Sequence, residues 1–140
     1  KKKKNLTELL KKHEGVKYEL YKCTADKWTI GVGRNLEDVG ISEDEADYLL
    51  QNDIERTIKL MDDYIPWHDD LDLVRHEALT NFVFNVGIGT AMKFKKAMTA
   101  LEEQDYEAAA DEMLDSNWSK QVGNRAIEIT EMIRTGEYQD

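Results

Sequence analysis

The chain has 140 residues, 41% of them hydrophobic, which suits one ordinary domain able to bury most of the surface its unfolded form exposes. A formal net charge of -10, with 34% charged residues, argues against a nucleic-acid partner. No run of about 18 apolar residues is present, which argues against membrane insertion, and the single cysteine, Cys23, excludes an internal disulfide framework.

Lys1 to Lys4 precede an amphipathic pattern rather than an apolar signal core, so the expectation is a solvated terminus without a role and a chain without its own export signal. Leu6, Leu9, Leu10 and His13 fall at helical spacing and predict a short helix over 5–13, stopped at Glu14-Gly15. From Tyr18 to Leu36 the texture turns to Tyr, Trp, Thr, Ile and Val around the turn-prone Thr24-Ala25-Asp26-Lys27, which predicts a β-hairpin. Alternation through Trp28–Gly33 leaves room for something to approach the backbone near the glycines.

Ser42-Glu43-Asp44-Glu45 is a capping-box pattern, and the apolar residues from Ala46 to Met61 follow at helical spacing. A long helix is expected there, ending before Pro66, the only proline. Four further helices are predicted: Leu71 to Val86, Lys93 to Glu103, Tyr106 to Leu114 and Gly123 to Arg134. The expected organisation of 1–140 is a single domain, with a hairpin lobe over about 14–41, a connecting helix over about 42–63, and a helical lobe from about 67–140 plus 5–13. Clefts between such lobes are ordinary places for substrates.

Glu14 ends the first helix, nine residues before Cys23 and fifteen before Thr29. Each alone has an ordinary explanation: a helix-end glutamate is usually solvated surface, and a strand threonine reflects β propensity. His68 and His76 lack a partner at metal-ligand spacing, and the acidic residues Asp62, Asp63, Asp69, Asp70 and Asp72 lack the order of a calcium loop. Both groups are read as solvated charge, with no metal and no cofactor.

The run Glu14-Gly15, Tyr21-Lys22-Cys23-Thr24, Trp28-Thr29-Ile30-Gly31-Val32-Gly33 resembles the active-site segment of the phage-type lysozymes, or endolysins. That family's pattern is Glu, eight residues, usually Asp, five residues, Thr; here Cys23 stands in the aspartate's place. Asn81-Phe82-Val83-Phe84-Asn85-Val86-Gly87 resembles its central helix, and Trp118, Asn124-Arg125-Ala126 and Arg134-Thr135-Gly136 its C-terminal segment. The resemblance implies a predominantly helical α+β lysozyme-like fold. It also implies hydrolysis of the β-1,4 bond between N-acetylmuramic acid and N-acetylglucosamine in peptidoglycan glycan strands, for host-cell lysis by a monomer. A protein of this kind is made in the host cytoplasm and reaches the wall after release, through a separate holin-like pore.

Glycoside hydrolysis needs an acid for the leaving oxygen and a second group at the opposite face of an oxocarbenium-like transition state. The resemblance assigns the acid to Glu14, which an apolar cleft wall would keep protonated. Cys23 admits three roles. With a reference pKa near 8.5 against about 3.9 for aspartate, its thiolate is a nucleophile giving retention, a base giving inversion, or the thiol is inert packing. Thr29 would position the attacking water or hydrogen-bond the second catalytic group. Arg34 would lower the thiol pKa or pair with Glu37 or Asp38. Arg125 lies near the glutamate in the family, with a surface ion pair as the alternative, and Phe84 matches a position bordering the sugar cleft. An alternative function is a lysozyme-like wall-binding or structural module that has lost hydrolysis.

Overall fold

The computed structural model describes the backbone of residues 2–140 and the side chains of residues 5–140, so the side chains of the N-terminal lysines lie outside it. Two compact units emerge from the internal contacts, one ending at Tyr48 and the other spanning Leu49–Asp140.

In the first unit, α1 (Lys2–Glu14) stops at Gly15, whose amide donates to the Lys11 carbonyl at 2.9 Å. Three short strands follow, β1 (Lys17–Lys22), β2 (Trp28–Gly31) and β3 (Arg34–Asn35), forming an antiparallel sheet in the order β1-β2-β3. Tyr21 faces Thr29 and Ile30 faces Arg34, with a register shift between Lys17 and Tyr21. The β1–β2 turn falls where predicted: the Cys23 amide donates to Lys27 at 3.0 Å and the Asp26 amide to Cys23 at 2.9 Å. A four-residue helix, α2 (Leu36–Val39), then forms because the Asn35 side chain accepts from the Asp38 amide at 3.1 Å. Nothing in the sequence periodicity announces it, since four residues make barely one turn.

The capping box at Ser42 is present. The Glu45 amide donates to Ser42 Oγ at 3.2 Å, and the Ser42 amide donates to Glu45 Oε1 at 2.8 Å. Helix α3 (Glu43–Tyr64) runs from it and ends before Pro66, as expected. A 3-10 turn over His68–Asp70 leads into α4 (Leu73–Val86), capped by Asp72.

Six helices, rather than the four predicted, follow Trp67 among the described residues. The expected helix Lys93 to Glu103 is α6 (Lys95–Glu102), starting two residues later because Phe94 leaves the helical region (φ -79°, ψ 59°), and a separate helix, α5 (Ile88–Lys93), precedes it. Helix α7 (Tyr106–Leu114) matches its prediction, and Gly123 separates α8 (Asn117–Val122) from α9 (Asn124–Thr135). The unforeseen α5 and α8 have six residues each, too few to show a periodic stripe.

Buried side chains from α3 to α9 form the core of the second unit, among them Met61, Leu79, Phe82, Leu101, Met113 and Ile133. Phe82 meets Phe94 and Trp118 edge to face, with ring centroids 5.0 and 4.8 Å apart, the arrangement that the ring quadrupoles favour. Trp118 satisfies its indole N–H on Asn85 Oδ1 at 2.8 Å. Arg75 ties α4 to the end of α9: Nε donates to the Ile133 carbonyl at 2.6 Å, and the guanidinium lies 3.7 Å from the Tyr106 ring centroid.

Candidate active site

In the first unit the last residue of α1 meets the β2–β3 turn. Gly33 lies at φ +68°, and a Cβ built on it would sit 2.8 Å from both Cδ and Oε1 of Glu14. The absence of a side chain at this turn is what seats the Glu14 carboxyl against the backbone. This is the close approach that the glycine run Gly31-Val32-Gly33 anticipates, with Glu14 as the group approaching.

Cys23 is half-buried at the start of the β1–β2 turn. Hydrogen bonds from the backbone at Lys27 and Ala25, then from the Thr29 side chain, favour its thiolate and hold the thiol below its ordinary value, against a smaller opposing effect of burial. Thr29 is 2% exposed, and its hydroxyl donates to the Lys27 carbonyl at 2.8 Å. This places the Thr29 hydroxyl in the hairpin beside the Cys23 turn.

Arg34 neither activates the thiol nor pairs with Glu37 or Asp38. Its guanidinium forks onto Glu45 (Nη1 to Oε1 at 2.9 Å, Nη2 to Oε2 at 2.6 Å) and donates to the Gly40 carbonyl at 2.9 Å. The planar fork meets both oxygens of the one carboxylate that the fold brings opposite it. Glu37 instead accepts the Trp28 amide at 2.9 Å and lies near Lys22 and Lys27.

In the second unit, Phe84 and Arg125 line one groove of about 490 Å³, together with Leu50, Ile54 and Ile58 of α3 and Asn81 of α4. Phe84 is 41% exposed, unlike its buried neighbours Phe82 and Val83. Among the described residues Arg125 has no ion-pair partner; its Nη2 and Nε donate to Asn81 Oδ1 at 2.7 and 3.1 Å. The reading of the histidines as solvated charge is overturned. His68 is 1% exposed, and its two ring nitrogens lie 2.6 Å from Asp62 Oδ1 and 2.8 Å from His76 Nε2. No local motif marks this group, because its members come from three elements that only the fold brings together.

A small antiparallel sheet with a helical remainder defines an α+β chain of the lysozyme-like class. Comparison with known proteins makes the assignment specific: the model of the phage lysozyme family matches residues 11–134, and the chain belongs to that family. Probable T4-type lysozyme 1 of Dictyostelium discoideum is 29% identical over 94% of this chain and 95% of its own length. An endolysin of Acyrthosiphon pisum secondary endosymbiont phage 1 is 32% identical over 80% of this chain and 75% of its own. The pre-baseplate central spike protein Gp5 of Enterobacteria phage T4 is 28% identical over 94% of this chain, which spans 28% of that protein. Among the described residues, no helix is long and apolar enough to cross a membrane.

Proposed function

We propose that the chain hydrolyses the β-1,4 bond between N-acetylmuramic acid and N-acetylglucosamine in peptidoglycan, with Glu14 as general acid and Cys23 as the second catalytic group. The observation that carries this reading is the seat Gly33 provides for the Glu14 carboxyl, in the same compact unit as a cysteine whose thiolate is favoured. Glu14 donates its proton to the glycosidic oxygen as the bond to the anomeric carbon breaks. In the retaining route the Cys23 thiolate forms a bond to that carbon, and water, deprotonated by Glu14, then displaces the sulfur. In the inverting route the thiolate takes a proton from water, which attacks directly. In either route the Thr29 hydroxyl rotates from the Lys27 carbonyl to donate to the sulfur, and Arg34 acts through Glu45 on the frame of the unit. Phe84 offers an apolar face to a sugar ring, while Arg125 and Asn81 offer polar groups to its substituents.

The test is release of reducing ends from purified peptidoglycan by the unaltered protein and by Glu14→Gln, Cys23→Ala and Cys23→Asp. Glu14→Gln is expected to lower kcat by about 10²- to 10⁴-fold, the usual contribution of a positioned acid. Cys23→Ala should also lose activity while Cys23→Asp keeps it, and the anomer of the first product separates the two routes. The second reading, a module that holds the wall without cutting it, is motivated by the cysteine and by the likeness to part of a central spike protein. Inactivity of the unaltered protein, with activity appearing in Cys23→Asp, would establish that reading instead.

A further inference from the structure

The polar group around His68 has a directional order. Asp62 Oδ1, from α3, lies 2.6 Å from His68 Nε2. An ionised carboxylate only accepts, so the His68 proton sits on Nε2 and Nδ1 presents a lone pair. That lone pair faces His76 Nε2 at 2.8 Å and Asp69 Oδ1 at 3.4 Å, and the latter two atoms are 3.8 Å apart. One nitrogen from each histidine and one carboxylate oxygen thus converge within 4.8 Å of one another.

We propose that His68 Nδ1, His76 Nε2 and Asp69 Oδ1 bind one divalent transition-metal ion of the Zn²⁺ type, with Asp62 holding His68 in the tautomer this requires. Two imidazoles select a borderline ion over calcium or magnesium, which take oxygen ligands. Tetrahedral zinc with bonds of about 2.0–2.1 Å places its ligand atoms about 3.3 Å apart, and the spacings here bracket that value. The adjustment falls on the less buried partners: the His68 side chain is 2% exposed, whereas those of His76 and Asp69 are 20% and 80% exposed. The Asp62 contact is the carboxylate–histidine–metal pattern that orients a ligand and raises its basicity. Without an ion, His76 Nε2–H donates to the His68 lone pair. On binding, that proton moves through solvent to His76 Nδ1, leaving two neutral imidazoles and an ionised carboxylate, with water completing the coordination. Because His76 also lines the groove that holds Phe84, the ion borders it.

Zn²⁺ alone, titrated calorimetrically into chelator-treated full-length protein at neutral pH, tests the assignment. One equivalent should bind and raise Tm. His76→Gln should abolish saturable binding, Asp62→Ala should weaken it by about 10- to 100-fold, and His13→Gln, which alters the third histidine, should leave it unchanged. Co²⁺ should give the visible absorption of a tetrahedral nitrogen–oxygen site. Should His76→Gln fail to fold, Asp69→Asn at the exposed ligand takes its place and is expected to weaken binding by at least about tenfold. No saturable binding by the unaltered protein, or equal affinity in the folded ligand variants, would overturn the site and leave the cluster as a hydrogen-bonded relay.

Discussion

At Gly33 two constraints coincide: a backbone at φ +68°, and the Glu14 carboxyl 2.8 Å from where a Cβ would stand. Gly31 shares the first constraint, with φ +72°, but has nothing within 4 Å of its added Cβ. Alanine should therefore cost each site about 1–2 kcal/mol of left-handed strain, while only Gly33→Ala also displaces Glu14. Denaturant unfolding should rank the two variants as near equals, and peptidoglycan assays should show a much larger loss of kcat for Gly33→Ala. Equal activities would mean that the Gly33 seat does not position the acid. At this scale the spacing of Glu14, Cys23 and Thr29 was legible in the sequence. What Arg34 binds was not, because Glu45 is eleven residues away and only the packing of a helix end onto the sheet turn selects it over nearer acids.

Among the elements, α3 is the one whose start the sequence marks most plainly, and the structure adds a function to its cap. Glu45 both closes the capping box on Ser42 and receives the Arg34 fork, and its carboxyl is held at about 2 against an ordinary 4.5, mainly by the Arg34 hydrogen bonds and then by the Ser42 amide. A depressed folded pKa stabilises the native state above the unfolded value, and this stabilisation is lost as pH falls through the folded one. The contribution from Glu45 should thus be complete above about pH 4.5 and disappear toward pH 2. Urea unfolding of the unaltered protein and Arg34→Met should differ most above about pH 4.5 and converge toward pH 2; a difference independent of pH would refute the coupling. Helices such as α3 and α7 are readable because period and punctuation agree. Helix α5 is not, since its six residues are too few to show a periodic stripe.

Over the whole molecule, burial separates residues that the sequence presents alike. Phe82 and Phe84 stand two apart on α4, yet Phe82 is fully buried against Phe94 and Trp118 while Phe84 is 41% exposed on the groove. Phe82→Ala should cost about 3–5 kcal/mol through lost burial and the cavity left behind. Phe84→Ala should change stability far less and raise KM for glycan, a split that denaturant curves and steady-state kinetics on the same two variants can check. A large stability loss for Phe84→Ala would assign it to the core and remove it from the substrate surface.

By itself the sequence determined the family, the α+β class, the hairpin turn and the approximate extents of α3 and α7, because these depend on residues near one another in the chain or on ordered motifs along it. The tertiary structure alone decided which side of α4 is core, that Arg34 serves Glu45 rather than Cys23, and that His68 is buried between Asp62 and His76. Those outcomes depend on groups from different elements meeting at hydrogen-bonding distance, where desolvation rewards only the partner that fits. No local periodicity records such meetings.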